Sequence, residues 1–135
     1  MRTLRFVLVT LLLAVVALGW NALVHLVLLR KARSAVAHLF RVDLQLYAGI
    51  SVGITVALLV LFVWGYTRFA RDRSLREASR YGLYFALVAG LLADANQFVL
   101  YPIPAWVAAA WFGAGLVEFQ LYALLLAGLL PPPRS

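Results

Sequence analysis

Four apolar runs, each about as long as a helix must be to cross a bilayer, dominate this chain. They cover residues 6–29, 44–69, 81–101 and 105–130. The hydrocarbon core takes about 20 helical residues, so each run suffices for one crossing. The expected fold is an all-α integral membrane protein, a four-transmembrane-helix bundle forming a single membrane domain over residues 1–135. With 65% apolar and 13% charged residues, the 135-residue chain leaves little for an aqueous domain.

The formal charge of +7 raises nucleic acid as a partner. The basic residues form no single patch, however. They fall between the apolar runs, where Lys and Arg set topology and meet anionic headgroups. Membrane lipid is therefore the expected partner and nucleic acid is not. Cysteine is absent, which removes disulfides, thiolate metal sites and thiol redox chemistry.

Arg2 and Arg5 followed by the apolar Phe6–Leu18 stretch also fit a secretory signal peptide. The run continues to Leu29, longer than such an apolar region, and reads as the first span. Residues 30–43 form a basic interfacial segment. There Val36, Leu39, Phe40 and Leu44 keep helical spacing while Arg33, His38, Arg41 and Asp43 interrupt a hydrocarbon span. It reads as an interfacial helix or an extension of the second span. That span ends in Trp64, Tyr66 and Arg68, the aromatic and basic signature of a membrane boundary.

Residues 68–80 carry Arg68, Arg71, Arg73, Arg76 and Arg80 and read as a headgroup-level loop with helical character, in contact with lipid headgroups or a partner. The third span begins at Tyr81. Pro102 and Pro104 stop it, since proline lacks an N–H and pushes its predecessor out of helical geometry. The short Tyr101–Pro104 connection predicts a proline hairpin between the third and fourth spans. Pro131–Pro133 end the fourth. The termini and the Arg-rich loop hold eight basic residues against four on the other side, which predicts both termini inside. The expected location is a bacterial cytoplasmic (inner) membrane.

Polar residues inside spans are costly and mark functional candidates. Asp94 and Glu118 are the two carboxylates within the apolar runs. At about 1.5 Å per residue, His25 lies roughly 7 Å below the outer boundary, Asp94 about 10 Å, Asn21 about 13 Å and Glu118 about 20 Å. Ser51 falls at a comparable depth. Asn21 and His25, four apart, share one helix face, as do Asp94 and Gln97, three apart. These residues predict one polar layer in the outer half of the bundle. Gly82, Ala86 and Gly90 lead to Asp94 at four-residue steps. Gly49 and Gly53 form a GxxxG pair, and Ala105, Ala109 and Gly113 repeat the spacing; such residues let helices approach closely in lipid.

Residues 42–48 (VDLQLYA) and 117–123 (VEFQLYA) share five identities and two conservative changes. A parallel internal repeat would pair Asp43 with Glu118, whereas chance similarity between apolar stretches explains the match as simply.

Asp94 and Glu118 suit either a proton or solute relay or plain interhelical hydrogen bonding. His25 fits a proton carrier, a metal or haem ligand, or a group facing the headgroups. No paired ligand spacing supports a metal, and haem would need His25 and His38 face to face. No nucleophile elbow, HExxH or phosphate-cradling loop is present, and no cofactor is expected. Small multidrug exporters are similar in span count but carry their membrane Glu in the first helix. This chain has Asn21 and His25 there, so no residue role is carried over.

Two function classes follow. In the first, the protein is a proton- or small-solute-handling carrier acting as an oligomer, with His25, Asp94, Glu118, Asn21 and Gln97 as its binding residues. In the second, it is a non-catalytic membrane subunit docked on the helices of a larger complex. A membrane enzyme is a more distant third.

Overall fold

The structure, a computed structural model, describes residues 2–130 and Pro132. The described residues are helical, with no strand among them, and include four helices long and apolar enough to cross a membrane. The parts assigned to Pro131, Pro133 and Arg134 in ending the last span and in the charge count lie outside the described residues.

The first span runs from α1 (Arg2–Leu23) into a π-helical turn, Val24–Leu28. The chain then breaks at Leu29 into a short helix α2 (Arg30–Ala35) and a 3₁₀ turn, Ala37–Leu39. A second 3₁₀ turn (Leu44–Tyr47) leads into α3 (Ala48–Phe69), completing the second span. The third span comprises α4 (Leu75–Gly90), a π-helical turn (Leu91–Ala95) and α5 (Asn96–Leu100). Residues 101–104 connect it to α6 (Ala105–Leu129), the fourth span.

Residues 30–43 do not extend the second span. Ala32 and Val36 are buried against Ile103 and Val107, so the segment folds over the beginning of α6. The helix breaks at Val36 and the chain is extended at Phe40. The repeat-like stretches differ in structure as well: Asp43 is an exposed residue paired with Arg41 at 3.3 Å, while Glu118 lies in mid-helix and is half-buried.

The helix of the third span begins six residues before the expected start of its apolar run at Tyr81. Ser74 caps α4, its Oγ accepting the Glu77 N–H at 3.2 Å. The Glu77 carboxylate reaches back and accepts the N–H groups of Arg71, Asp72 and Arg73 at 2.9, 2.9 and 2.7 Å. This is a capping-box spacing, with the acid closing a whole turn of backbone. Much of the predicted Arg-rich loop is therefore the first turns of a helix. Arg76 and Arg80 are exposed on it, as are Arg68 in the last turn of α3 and Arg71 in the connection. Arg73, half-buried and with φ of 49°, turns the backbone and donates to the Thr67 carbonyl at 3.5 Å.

The two ends of the bundle are packed differently. At the end carrying Arg5 and Leu129, all four spans meet. Arg5 Nη2 donates to the Leu129 carbonyl at 2.6 Å, placing a cation on the C-terminal end of α6. Leu13, Leu59, Phe62, Val63, Tyr66 and Leu126 are fully buried. The Phe62 ring lies 4.9 Å from Tyr81, 5.0 Å from Phe85 and 5.6 Å from Phe119, an aromatic knot in tilted and edge-on contacts. Tyr81 also donates its hydroxyl to the Phe62 carbonyl at 2.7 Å.

Helices α4 and α6 pack most closely. A Cβ at Gly82 would lie 2.7 Å from Ala123 Cβ and 2.8 Å from the Phe119 carbonyl, so glycine permits the approach. Ser79 Oγ donates to Gln120 Oε1 at 3.0 Å, and Gln120 Nε2 donates to the Ser79 carbonyl at 2.9 Å. Gly49, Gly53 and Gly113, by contrast, have no neighbour within 4 Å of an added Cβ, so the expected close approach at these positions is absent.

At the opposite end the second span stands away from the bundle. Between residues 41 and 58 every residue but the half-buried Thr55 is exposed, with Leu46 at 80% and Ile54 at 66%. The third span is similarly uncovered there, with Leu92 at 70% and Val99 at 77%.

Candidate functional site

A cleft of about 970 Å³ lies between these separated halves. Asn21, His25, Asp94, Gln97 and Glu118, read as candidates from the sequence, all line it, and so do Ser51 and Thr55 of the second span. The first, third and fourth spans each supply candidate side chains and the second supplies hydroxyls.

Local backbone geometry sets two of these side chains. His25 and Asp94 lie in the π-helical turns of the first and third spans. A π turn adds a residue to the helical repeat, shifts the side-chain register and leaves a carbonyl without its usual partner. Such turns are short and recur at functional sites. The two titratable groups thus sit where each helix is locally unwound, and neither turn contains glycine or proline to announce it.

Glu118 ties the first span to the fourth. Asn21 Nδ2 donates to Glu118 Oε1 at 3.3 Å and also to the Ala17 carbonyl of its own helix at 2.9 Å. The Tyr122 hydroxyl, one turn along α6, donates to the same carboxylate oxygen. The second oxygen of Glu118 has no protein partner among the described residues, and neither Asp94 nor Gln97 makes a side-chain hydrogen bond or ion pair there. Trp20 and Trp111, also in the lining, keep buried indole N–H groups with no partner. Buried polar groups of this kind are ordinarily satisfied by protein, water or ligand.

Toward the end carrying Arg5 and Leu129, Phe119 and Ala86 form the floor, and the aromatic knot around Phe62 lies beyond them. Near the mouth is Arg33, its guanidinium 5.9 Å from the centre of the Phe40 ring. His38 is exposed in its 3₁₀ turn and is not part of the lining, so the two histidines do not form a facing pair. Among the described residues, no three His, Cys, Asp or Glu side chains gather in a group able to hold a metal ion. The exposed arginines of residues 68–80 lie at the far end of the molecule and take no part in the cleft.

Sequence spacing does not disclose Trp20 and Thr55 as parts of this site. Trp111 and Tyr122 share the helical face of Glu118. Trp20 and Thr55 carry no comparable signal, because aromatic and hydroxyl side chains are ordinary constituents of apolar helices.

No protein family, curated protein or solved structure matches the chain.

Proposed function

We propose that the protein is a small membrane carrier, handling protons or a small solute and acting as an oligomer. The observation that carries this reading is the convergence of Asn21, His25, Asp94, Gln97 and Glu118 on one cleft beside a tightly packed aromatic core. A pocket accessible from one side and sealed on the other is one end state of alternating access. In this reading the four long helices span the bilayer, both termini face the cytoplasm, and the Tyr101–Pro104 hairpin is on the outer side. The bias of basic residues supports that orientation. A bacterial inner membrane is the setting proposed.

Within the cleft, the polar residues divide the work. Glu118, fixed by Asn21 and Tyr122, is the anchored acid. Asp94, which makes no side-chain bond among the described residues, is free to take up a proton or cation, with His25 of the same cleft as an exchangeable group. Gly49 and Gly53 lie on a different face of the second span from Ser51 and Thr55 and have open space around them. That face suits a second copy, packed without covering the cleft.

Reconstitution in proteoliposomes tests the proposal, with proton flux followed by an entrapped pH indicator and solute uptake by exchange. Flux above that of empty vesicles, lost in Asp94→Asn and Glu118→Gln, is expected. Flux unchanged in both variants contradicts it.

The same uncovered second span favours a second reading, a non-catalytic subunit whose partner helix covers residues 44–58. Extraction from its native membrane in mild detergent separates the two. A homo-oligomer free of other chains supports the carrier, and a fixed stoichiometry with another membrane protein supports the subunit.

A further inference from the structure

The cleft sets acidic groups among apolar walls. Asp94 and Glu118 present the carboxylate oxygens described above, while Leu18, Leu26, Val52 and Ala89 contribute hydrocarbon. An inorganic cation is best held by several charged or imidazole ligands at close range, and among the described residues no three His, Cys, Asp or Glu side chains gather in such a group. A bare proton would leave the volume and the apolar walls without a role. About 970 Å³ is at the upper end of the range for drug-sized ligands.

The route into the cleft is equally specific. No residue of 41–58 or of 91–102 is buried, so the second and third spans do not close on each other in this half. In a membrane that gap faces lipid and not only water. A ligand using it must be at home in hydrocarbon. A ligand stopping at Asp94 and Glu118 must carry positive charge or strong donors, because carboxylates in low dielectric attract a cation strongly. Arg33 does not neutralise these acids: its guanidinium is at the mouth, over the Phe40 ring. Trp111, on the face shared with Glu118, adds an aromatic wall of the kind that receives organic cations.

We propose that the cleft binds an amphipathic organic cation entering sideways from the bilayer between the second and third spans. Its cationic head meets Asp94 and Glu118, and its chain lies against Val52 and Leu26 and extends through the gap into lipid. This substrate class rests on the carrier reading and names what that carrier would handle.

The test uses the full chain in nanodiscs of zwitterionic lipid and follows tryptophan fluorescence, since Trp20 and Trp111 line the cleft. Three probes are titrated: decyltrimethylammonium, tetramethylammonium and decyl sulfate. Saturable quenching by decyltrimethylammonium is expected, at least about tenfold weaker for tetramethylammonium and in Asp94→Asn and Glu118→Gln, with none above lipid background for decyl sulfate. Thermal midpoints of both variants confirm that they are folded.

Equal binding of tetramethylammonium overturns the amphiphile and the sideways route while leaving the carrier reading intact. Equal binding of decyl sulfate overturns the role given to the acids. No binding of either cation, with proton flux still dependent on Asp94 and Glu118, overturns this inference alone. Absence of both binding and flux overturns the carrier reading with it. Self-cross-linking of Val52→Cys across the cleft face, with loss of probe binding, identifies a second copy as the occupant and overturns the inference.

Discussion

Asn21 of the first span donates to Glu118 of the fourth at 3.3 Å, a hydrogen bond between residues 97 positions apart that spans the base of the cleft. Tyr122 donates to the same oxygen, so three side chains form one unit. Removing the carboxylate strands two donors, whereas an amide at the same position still accepts. Glu118→Ala should destabilise the protein by about 1–3 kcal/mol, and Glu118→Gln by about 1 kcal/mol or less. Thermal unfolding in mild detergent, monitored by circular dichroism, measures the difference. Equal midpoints for the two variants would mean that the hydrogen bonds contribute nothing.

Gly82 and Gly49 make opposite predictions for the same substitution. At Gly82 an added methyl collides with Ala123 Cβ and with the backbone carbonyl of Phe119, and a backbone atom cannot move aside cheaply. Gly82→Ala should cost about 1–3 kcal/mol as α4 and α6 are pushed apart. At Gly49 nothing lies within 4 Å, and alanine should be neutral or stabilising by about 0.5–1 kcal/mol through reduced backbone entropy. Paired melting curves test both.

Glu77 gives a pH signature at the polar start of the third helix, ahead of the apolar run. The Arg71 N–H, with those of Arg73 and Asp72, holds its carboxyl below the usual range. A carboxyl depressed by folding contributes stability that is present above its unfolded value and is lost as pH falls through its folded value. Acidification should therefore loosen the 70–74 turn. The amide proton shifts of Arg71–Arg73 should move together through the acid range in the wild type. In Glu77→Gln that shared titration should vanish. Independent movement of the three amides would contradict the single-acceptor arrangement.

Tyr81→Phe removes the donor to the Phe62 carbonyl while keeping the ring contacts with Phe62 and Phe85. The expected loss is about 0.5–1.5 kcal/mol. Probe binding at the cleft should be unaffected, because Tyr81 lies in the packed half. A variant that melts normally but loses binding would show that the two halves are coupled.

How much of this was legible in the sequence follows from which forces write themselves into it. Span existence depends on apolar length, so the second span matches at Leu44–Phe69 and the fourth begins at Ala105 as expected. The path Gly82–Ala86–Gly90 was legible because close packing requires small residues at one spacing, and all three are buried. Gly49 and Gly53 show the limit of that rule, since small residues permit an approach without causing one.

The start of α4 was readable in principle from the Ser74–Glu77 spacing, but the surrounding arginines favoured a loop reading. The π turns at His25 and Asp94 were not legible, since they arise from tertiary fit and not from local propensity. The parting of the second and third spans was equally hidden, because apolar residues facing lipid and apolar residues facing a neighbour have the same composition.

The central claim is that a polar cleft penetrates one half of this bundle, and cysteine accessibility tests it most directly because the native chain contains no cysteine. Single cysteines at Ser51 and Ala93 in the cleft lining, at Ile54 and Leu92 on the outward faces beside them, and at buried Leu59 provide the comparison. In vesicles treated with a membrane-impermeant maleimide, Ser51→Cys and Ala93→Cys should react from one side of the membrane, and decyltrimethylammonium should slow them. Ile54→Cys, Leu92→Cys and Leu59→Cys should stay unlabelled. If the two cleft positions are as unreactive as Leu92→Cys, no water-accessible cleft exists and the account fails.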